Sequence, residues 1–336
     1  MASGGLGPDQ SLAIVIPAYK DQFLADTLES ITGQSDKRFT VYVGDDASPG
    51  DIESIVDRYR DRLAIRYTRF ATNLGGTHLV DHWHRCVSLA DETWVWLFSD
   101  DDLMSEDCVA AFRAHLSSQP APADLFRFRV QEIDGSGRVV RPPQSLKSPL
   151  WPIEFCTLRF RGQIRSYVPE HVFRRTAFIE RGGFPHFALA WCSDDAAWVK
   201  LAERAGMHEV PAGIVSWRRS GLNITSRHAA LAPVKLLAAT EYVRWLQQEL
   251  PLDDRPAVRR EFRALCRKWL LGHSRYLQTS FTRAGIVRCA RNGAPLFPYG
   301  TPAAAAALLR SDLARWLRSR RKRYPVSGPR ERGLQG

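Results

Sequence analysis

"LAIVIPAYKDQFLADTLESITGQ", residues 12–34, changes its period halfway along. Leu12 to Ile16 is a short continuous apolar run closed by Pro17, the pattern of a strand covered on both faces in a parallel sheet. Beyond Asp21 the apolar residues Phe23, Leu24, Leu28 and Ile31 recur at helical spacing, so a helix is predicted up to Thr32. The unit then repeats. Strand "FTVYVGDD" leads to a helix over Asp51 to Tyr59, strand "LAIRYTRF" to a helix over Thr77 to Ala90, and strand "TWVWLF" follows. Strand and helix alternate across the first hundred residues, which predicts an α/β domain with a mostly parallel sheet.

Sheets of this kind bind ligands at the carboxyl ends of their strands. Each such end carries a polar group: Tyr19 after the first strand, Asp45 and Asp46 after the second, Asn73 to Gly76 after the third, and Asp100, Asp101 and Asp102 after the fourth. The expectation is one crevice fed by four strand ends. The acidic triplet is the sharpest of these signals, because three adjacent carboxylates repel one another and need a cation, hydrogen-bond donors or open water. A hard cation such as Mg²⁺ or Mn²⁺ takes oxygen ligands, and a metal diphosphate would neutralise the cluster. Taken alone, the triplet equally suits a solvated turn or a helix cap.

The rest of the chain bounds the reading. Its 336 residues, 44% hydrophobic and 25% charged, suit a soluble globular protein with one large domain and an appendage or with two domains. No apolar run reaches the length that crosses a bilayer, and "MASGGLGPDQ" lacks the basic and apolar regions of a secretory signal. The six cysteines have no zinc spacing and read as reduced thiols. From Thr301 onward nine basic residues stand against two acidic ones, a net of +7 that leaves +4 for the first 300 residues. Residues 142–163, rich in Pro and aromatics and without a clear period, read as a loop over the crevice. "DDAAWVKLAERAG" (194–206) reads as a helix, and the pattern from Ala229 onward is mainly helical. His78 and His82 stand four apart with His84 beside them, but without a further ligand they read as packing or pocket residues rather than zinc ligands.

Several segments in this order, "IVIPAYKDQFLADTLESITGQ", "VYVGDDAS", "NLGGTHLVDHWHRCVSLA", "LFSDDDLM", "VFRRTAFIERGGFP" and "SDDAAWVKLAERAG", resemble the family 2 glycosyltransferases, an inverting group with the GT-A nucleotide-sugar fold. The resemblance covers about residues 12–226. It implies a donor pocket at Pro17, Tyr19, Asp46, Asn73 and Gly75, with Tyr19 and Asp46 near the base. The triplet resembles the family's D-x-D element, which holds a divalent cation (Mn²⁺ or Mg²⁺) and the donor's ribose and diphosphate. Ser99 stands where the common form has Asp, so Asp101 and Asp102 rank ahead of Asp100 as metal ligands. An acidic pair opening a helix supplies the family's general base, which points to Asp195 first and Asp194 second. Arg218, Arg219 and Asn223 fall where the family closes over the diphosphate, and Trp191 where an aromatic face could carry an acceptor sugar.

The expected organisation is a flexible N-terminus (1–11), a GT-A domain (12–226), a helical region (227–323) and a flexible tail (324–336). The expected activity is inverting transfer from a nucleotide sugar, with UDP ahead of GDP and dTDP, to a glycan or lipid-linked saccharide in surface polysaccharide assembly. A retaining transferase or nucleotidyltransferase is the alternative within enzymes, although "IPAYKDQFL" has no glycine for a triphosphate loop. A catalytically silent membrane- or RNA-binding protein is the alternative outside them. The apolar and basic residues of "LLRSDLARWLRSRRKR" suit an anionic membrane surface, so a cytoplasmic, peripheral location is expected. No nucleic-acid signature accompanies the charge, and no nucleic-acid partner is expected.

Overall fold

The strand predicted from the opening apolar run is β1 (Leu12–Ala18), and every residue in it but Pro17 is buried. A computed structural model describes residues 10–118, 123–223, 228–250 and 256–276, with Arg291 and Ala306 besides. The alternation continues through α1 (Leu24–Thr32), β2 (Thr40–Asp45), α2 (Ile52–Asp57), β3 (Ile65–Arg69), α3 (Leu79–Val87) and β4 (Trp94–Leu97). Next come β5 (Leu103–Met104), α4 (Cys108–Ser118), β6 (Leu125–Ile133), β7 (Val139–Gln144), α5 (Pro152–Phe160), β8 (His171–Arg174) and α6 (Arg175–Glu180). The described chain closes with α7 (Ser193–Leu201), β9 (Met207–Arg218), α8 (His228–Glu249) and α9 (Pro256–Tyr276).

Among the described residues nine strands form one sheet in the order β3-β2-β1-β4-β8-β6-β9-β5, with β7 paired to β6. The first four are parallel, with Ala18 level with Asp45, and Asp45 with Arg69, so their carboxyl ends share one edge. β8 runs antiparallel to both β4 and β6, and β6 is parallel to β9. The pleat divides the core. Leu12, Ile14, Ile16, Trp94 and Trp96 pack with α1, α2 and α4 on one face, while Ala13, Val15, Val95 and Leu97 pack with α3 and α5 to α9 on the other. This is a mixed, mostly parallel sheet with helices on both faces, the GT-A architecture expected from the sequence.

Residues 142–163 differ from the predicted loop. Pro142 to Gln144 extend β7, and Pro152 opens α5, which buries Phe155, Cys156 and Phe160 against the helical layer. Proline suits the first helical turn, where its missing N–H has no partner to lose, so the Pro-rich composition concealed a helix start. α8 shares the core of the sheet's second face through Leu236, Ala239, Tyr242, Val243 and Leu246, so the described part of the helical region is packed on the sheet. The five described cysteines are free thiols, as expected, and Cys289 lies outside the described residues. So do residues 1–9 and the basic segment 310–336, on which the flexible ends and the membrane-facing helix were predicted. No helix among the described residues is long and apolar enough to cross a membrane.

Candidate active site

Asp100, Asp101 and Asp102 leave the end of β4 buried, and each does something different. Asp100 faces inward to the β1 turn, where its Oδ2 accepts the backbone N–H groups of Tyr19 (2.9 Å) and Lys20 (2.8 Å). The Lys20 ammonium bridges the first two carboxylates, 2.9 Å from Asp100 Oδ1 and 2.6 Å from Asp101 Oδ2. Burial opposes its charge, but the two carboxylates outweigh burial and hold the lysine well above its ordinary range. The Oδ1 of Asp102 accepts the Arg218 backbone N–H at 2.7 Å, whereas its buried Oδ2 has no hydrogen-bond partner. Burial, with the neighbouring Asp101 charge, pushes the Asp102 carboxyl well above the usual carboxylate range.

Arg218 comes to the triplet from the end of β9, but as a buried clamp. Its Nε donates to the Asp101 carbonyl (2.8 Å), its Nη1 and Nη2 reach Gly135 O and Asp26 Oδ2 (both 3.3 Å), and its guanidinium lies 4.5 Å from the Phe23 ring. Asn223 donates to the Arg218 carbonyl at 3.0 Å. Arg219, one residue along the strand, turns to the opposite face of the sheet and bonds Glu132, so the structure does not bring it to the triplet.

The donor side expected around Asp46 is closely tied. Its carboxylate accepts the backbone N–H of Leu74 (2.8 Å) and Gly75 (2.6 Å) and pairs with Arg85, while Asn73 Nδ2 bonds its carbonyl at 3.1 Å. A Cβ at Gly75 would meet Asp46 Oδ2 at 2.7 Å, so the close approach requires glycine. His82 stands 3.4 Å from Asp46, and burial lowers its pKa to about 4, which fits a neutral pocket residue. Tyr19 remains largely exposed beside this turn, its carbonyl accepting Ser48 Oγ at 2.7 Å, and Pro17 is level with Gly44 on β2.

The predicted acidic pair opens α7 after a tight turn in which Leu189, Ala190 and Cys192 all hold positive φ (60°, 52° and 68°). Such non-glycine conformations cost about 1–3 kcal/mol each and persist only where packing imposes them. Asp195 is buried and meets the Arg159 guanidinium, with Nη2 2.8 Å and Nε 3.1 Å from Oδ2. Asp194 is half-buried and forms no ion pair with any described residue; burial, then the Asp195 charge, raises its pKa to about 7. The Asp194 charge also reaches Glu170, which lies in the turn before β8 at the carboxyl edge of β4. The acidic pair and the triplet therefore belong to the same edge of the sheet.

Trp191 differs from the open platform expected. Its Nε1 donates to His273 of α9 at 2.9 Å, and Lys235 of α8 lies 4.6 Å over its ring. Sequence reasoning also missed Lys20, Arg85 and Arg159. Lys20 directly follows Tyr19, at the end of the strand beside β4, a position from which its ammonium reaches two of the three carboxylates. Arg159 lay in the segment read as a loop.

Residues 13–178 match the family model described as Glycosyl transferase family 2. Abequosyltransferase RfbV of Salmonella typhimurium is 29% identical over 120 residues, which are 34% of this chain and 34% of RfbV, so the chain spans about a third of that relative's length. The fold resembles S. aureus TarS in complex with UDP-GlcNAc, with a TM-score of 0.68 at 12% identity over 94% of this chain and 93% of that one. It also resembles the mannosyltransferase PcManGT from Pyrobaculum calidifontis in complex with GDP-Man and Mn²⁺, with a TM-score of 0.52 at 15% identity over 91% and 87% of the two chains. At such identities the structural likeness speaks for the fold, and the sequence match places residues 13–178 in glycosyl transferase family 2.

Proposed function

We propose that the protein transfers a sugar from a nucleoside diphosphate donor, UDP foremost, to a hydroxyl of a glycan or lipid-linked saccharide, with inversion and with a divalent cation. The reading rests above all on the buried Asp102 Oδ2, which has no partner. An orphaned carboxylate oxygen beside Asp101, at the carboxyl end of a parallel strand, suits a hard cation. Asp101 and Asp102 would hold the cation, which when bound stabilises the charge that builds on the leaving diphosphate. The relatives support the donor class: TarS was solved with UDP-GlcNAc and UDP, and PcManGT with GDP-Man and Mn²⁺.

The chain's own groups supply the remaining work. Tyr19 offers an exposed ring to the base, and the loop tied to Asp46 shapes the wall beside it. Asp100 fixes the turn that carries Tyr19 and Lys20. The Asp194–Asp195 pair takes the proton of the attacking hydroxyl, and the Asp195 charge beside it raises the proton affinity of Asp194. Surface polysaccharide assembly on the cytoplasmic face of a membrane is the role this chemistry suits, with the basic segment after Thr301 as the contact.

The test is thermal stability against UDP, GDP, dTDP and their sugars, with and without Mn²⁺. A ligand at about a hundred times its dissociation constant should stabilise the fold by about 2.7 kcal/mol. Stabilisation by UDP that requires Mn²⁺ supports the reading, whereas indifference to every nucleotide and metal overturns it.

A further inference from the structure

Lys20 occupies the position between Asp100 and Asp101 where an external cation would otherwise compensate them. Its placement is fixed from both ends. The backbone N–H groups of Tyr19 and Lys20 are bound to Asp100 Oδ2, and the ammonium lies within 3 Å of two carboxylates, while Asp102 Oδ2 beside them stays without a partner. Among the described residues Lys20 is the one cation paired with these carboxylates, since the Arg218 guanidinium is spent on the Asp101 carbonyl, Gly135 and Asp26; the cluster is left short of compensation yet with its Asp101 oxygen already taken.

We propose that Lys20 is an internal counter-ion which a divalent metal must displace from Asp101, and that the freed ammonium moves onto the donor's diphosphate. The inference rests on the metal-dependent reading above. A Mg²⁺-like cation bound to Asp101 would lie about 2.0–2.1 Å from its oxygen, close enough to an ammonium 2.6 Å from that oxygen to repel it strongly. The lysine stem can turn, and a diphosphate offers the ammonium new anionic partners in the same crevice. Metal without nucleotide must strand the ammonium, and nucleotide without metal meets three carboxylates. The two ligands therefore bind well only together, and by linkage each raises the other's affinity by the same factor.

The experiment is a Mn²⁺ titration followed by the electron paramagnetic resonance signal of the free ion, with and without UDP, which needs no acceptor and no turnover. Wild-type protein should bind Mn²⁺ weakly alone and about tenfold or more tightly with UDP, within the usual range of coupling between sites. Lys20→Met should bind Mn²⁺ alone about tenfold more tightly than wild type, and UDP should add much less. Lys20→Gln, whose amide can still donate to the carboxylates, should behave likewise and serves if the methionine variant folds poorly. Equal Mn²⁺ affinity of wild type and both variants without UDP overturns the proposal while leaving the metal site standing. No Mn²⁺ uptake by any of them, with UDP or without it, overturns the metal-dependent reading and the proposal together.

Discussion

The Arg159 guanidinium donates to both oxygens of Asp195, at 2.8 Å and 3.1 Å to Oδ2 and 3.4 Å to Oδ1, and so fixes one member of the acidic pair while Asp194 beside it is left without an ion pair among the described residues. Asp195→Asn should keep Mn²⁺-dependent UDP binding and lose transfer by a factor on the order of 10² to 10⁴, the usual cost of a lost general base. Arg159→Met should also lower kcat while leaving nucleotide affinity intact. If Asp195→Asn is fully active with a competent acceptor, the pair has no catalytic role.

The pH profile follows from Asp194. Its carboxyl must be ionised to accept a proton, and its pKa is raised to about 7, so kcat should fall as pH drops through that value and level off above it. Asp194→Asn removes this titration. The acid limb should then vanish from the region near pH 7. An unchanged limb in the variant would assign it to another group.

Asp102→Asn separates structure from function by sign. A buried carboxyl with a raised pKa gives its most favourable contribution when protonated, and that contribution is lost as pH rises through the elevated value. At neutral pH without metal the amide should stabilise the fold, on the order of 1 kcal/mol, while Mn²⁺-dependent UDP binding falls. Asp101→Asn should weaken the same binding. Thermal melts with and without Mn²⁺ and UDP check both, and unaltered binding in both variants would discard the metal assignment.

Gly75→Ala should destabilise the protein by about 1–3 kcal/mol, because the new methyl would press against Asp46 Oδ2 and the loop must shift. Nucleotide affinity should fall with it, since that loop is the wall of the donor pocket in the function proposed above. Chemical denaturation and UDP titration of the variant give the two numbers.

Deleting residues 310–336 should release the protein from vesicles containing phosphatidylglycerol without altering nucleotide binding. The basic residues contribute about 1 kcal/mol each near an anionic surface, and salt should weaken the contact. Equal vesicle binding by the full and shortened chains would show that this segment is not the membrane contact.

The sequence announces the parallel half of the fold because β1, β2 and β4 are short, mostly apolar runs with polar residues at or just past their carboxyl ends, and β3 is recognised by its place in the alternation. Trp94 to Leu97 and the triplet that follows are legible for that reason. The other half is less so. β8 has four residues, and β7 contains Pro142 and Pro143, so neither carries a period long enough to recognise. The acidic groups could be read as candidates, but their partners could not, because Lys20, Arg85 and Arg159 act across 81, 39 and 36 positions of chain. Arg218 shows the same limit: a cation at the expected place proved to be a buried brace, since only the packing of Phe23 and the Asp101 carbonyl decides which way it faces.

β9 lies between β6 and β5, yet its residues come after the 13–178 stretch that matches the family, as do the acidic pair and Arg218. Excising that stretch would open the edge of β6 and uncover the apolar face that α7 and α8 close, inviting aggregation. For protein engineering, the portable cassette is therefore larger than the sequence signature. A chimera meant to exchange acceptor preference between relatives has to carry the chain through α9 as one piece, because Trp191 of the loop before the acidic pair is fastened to His273.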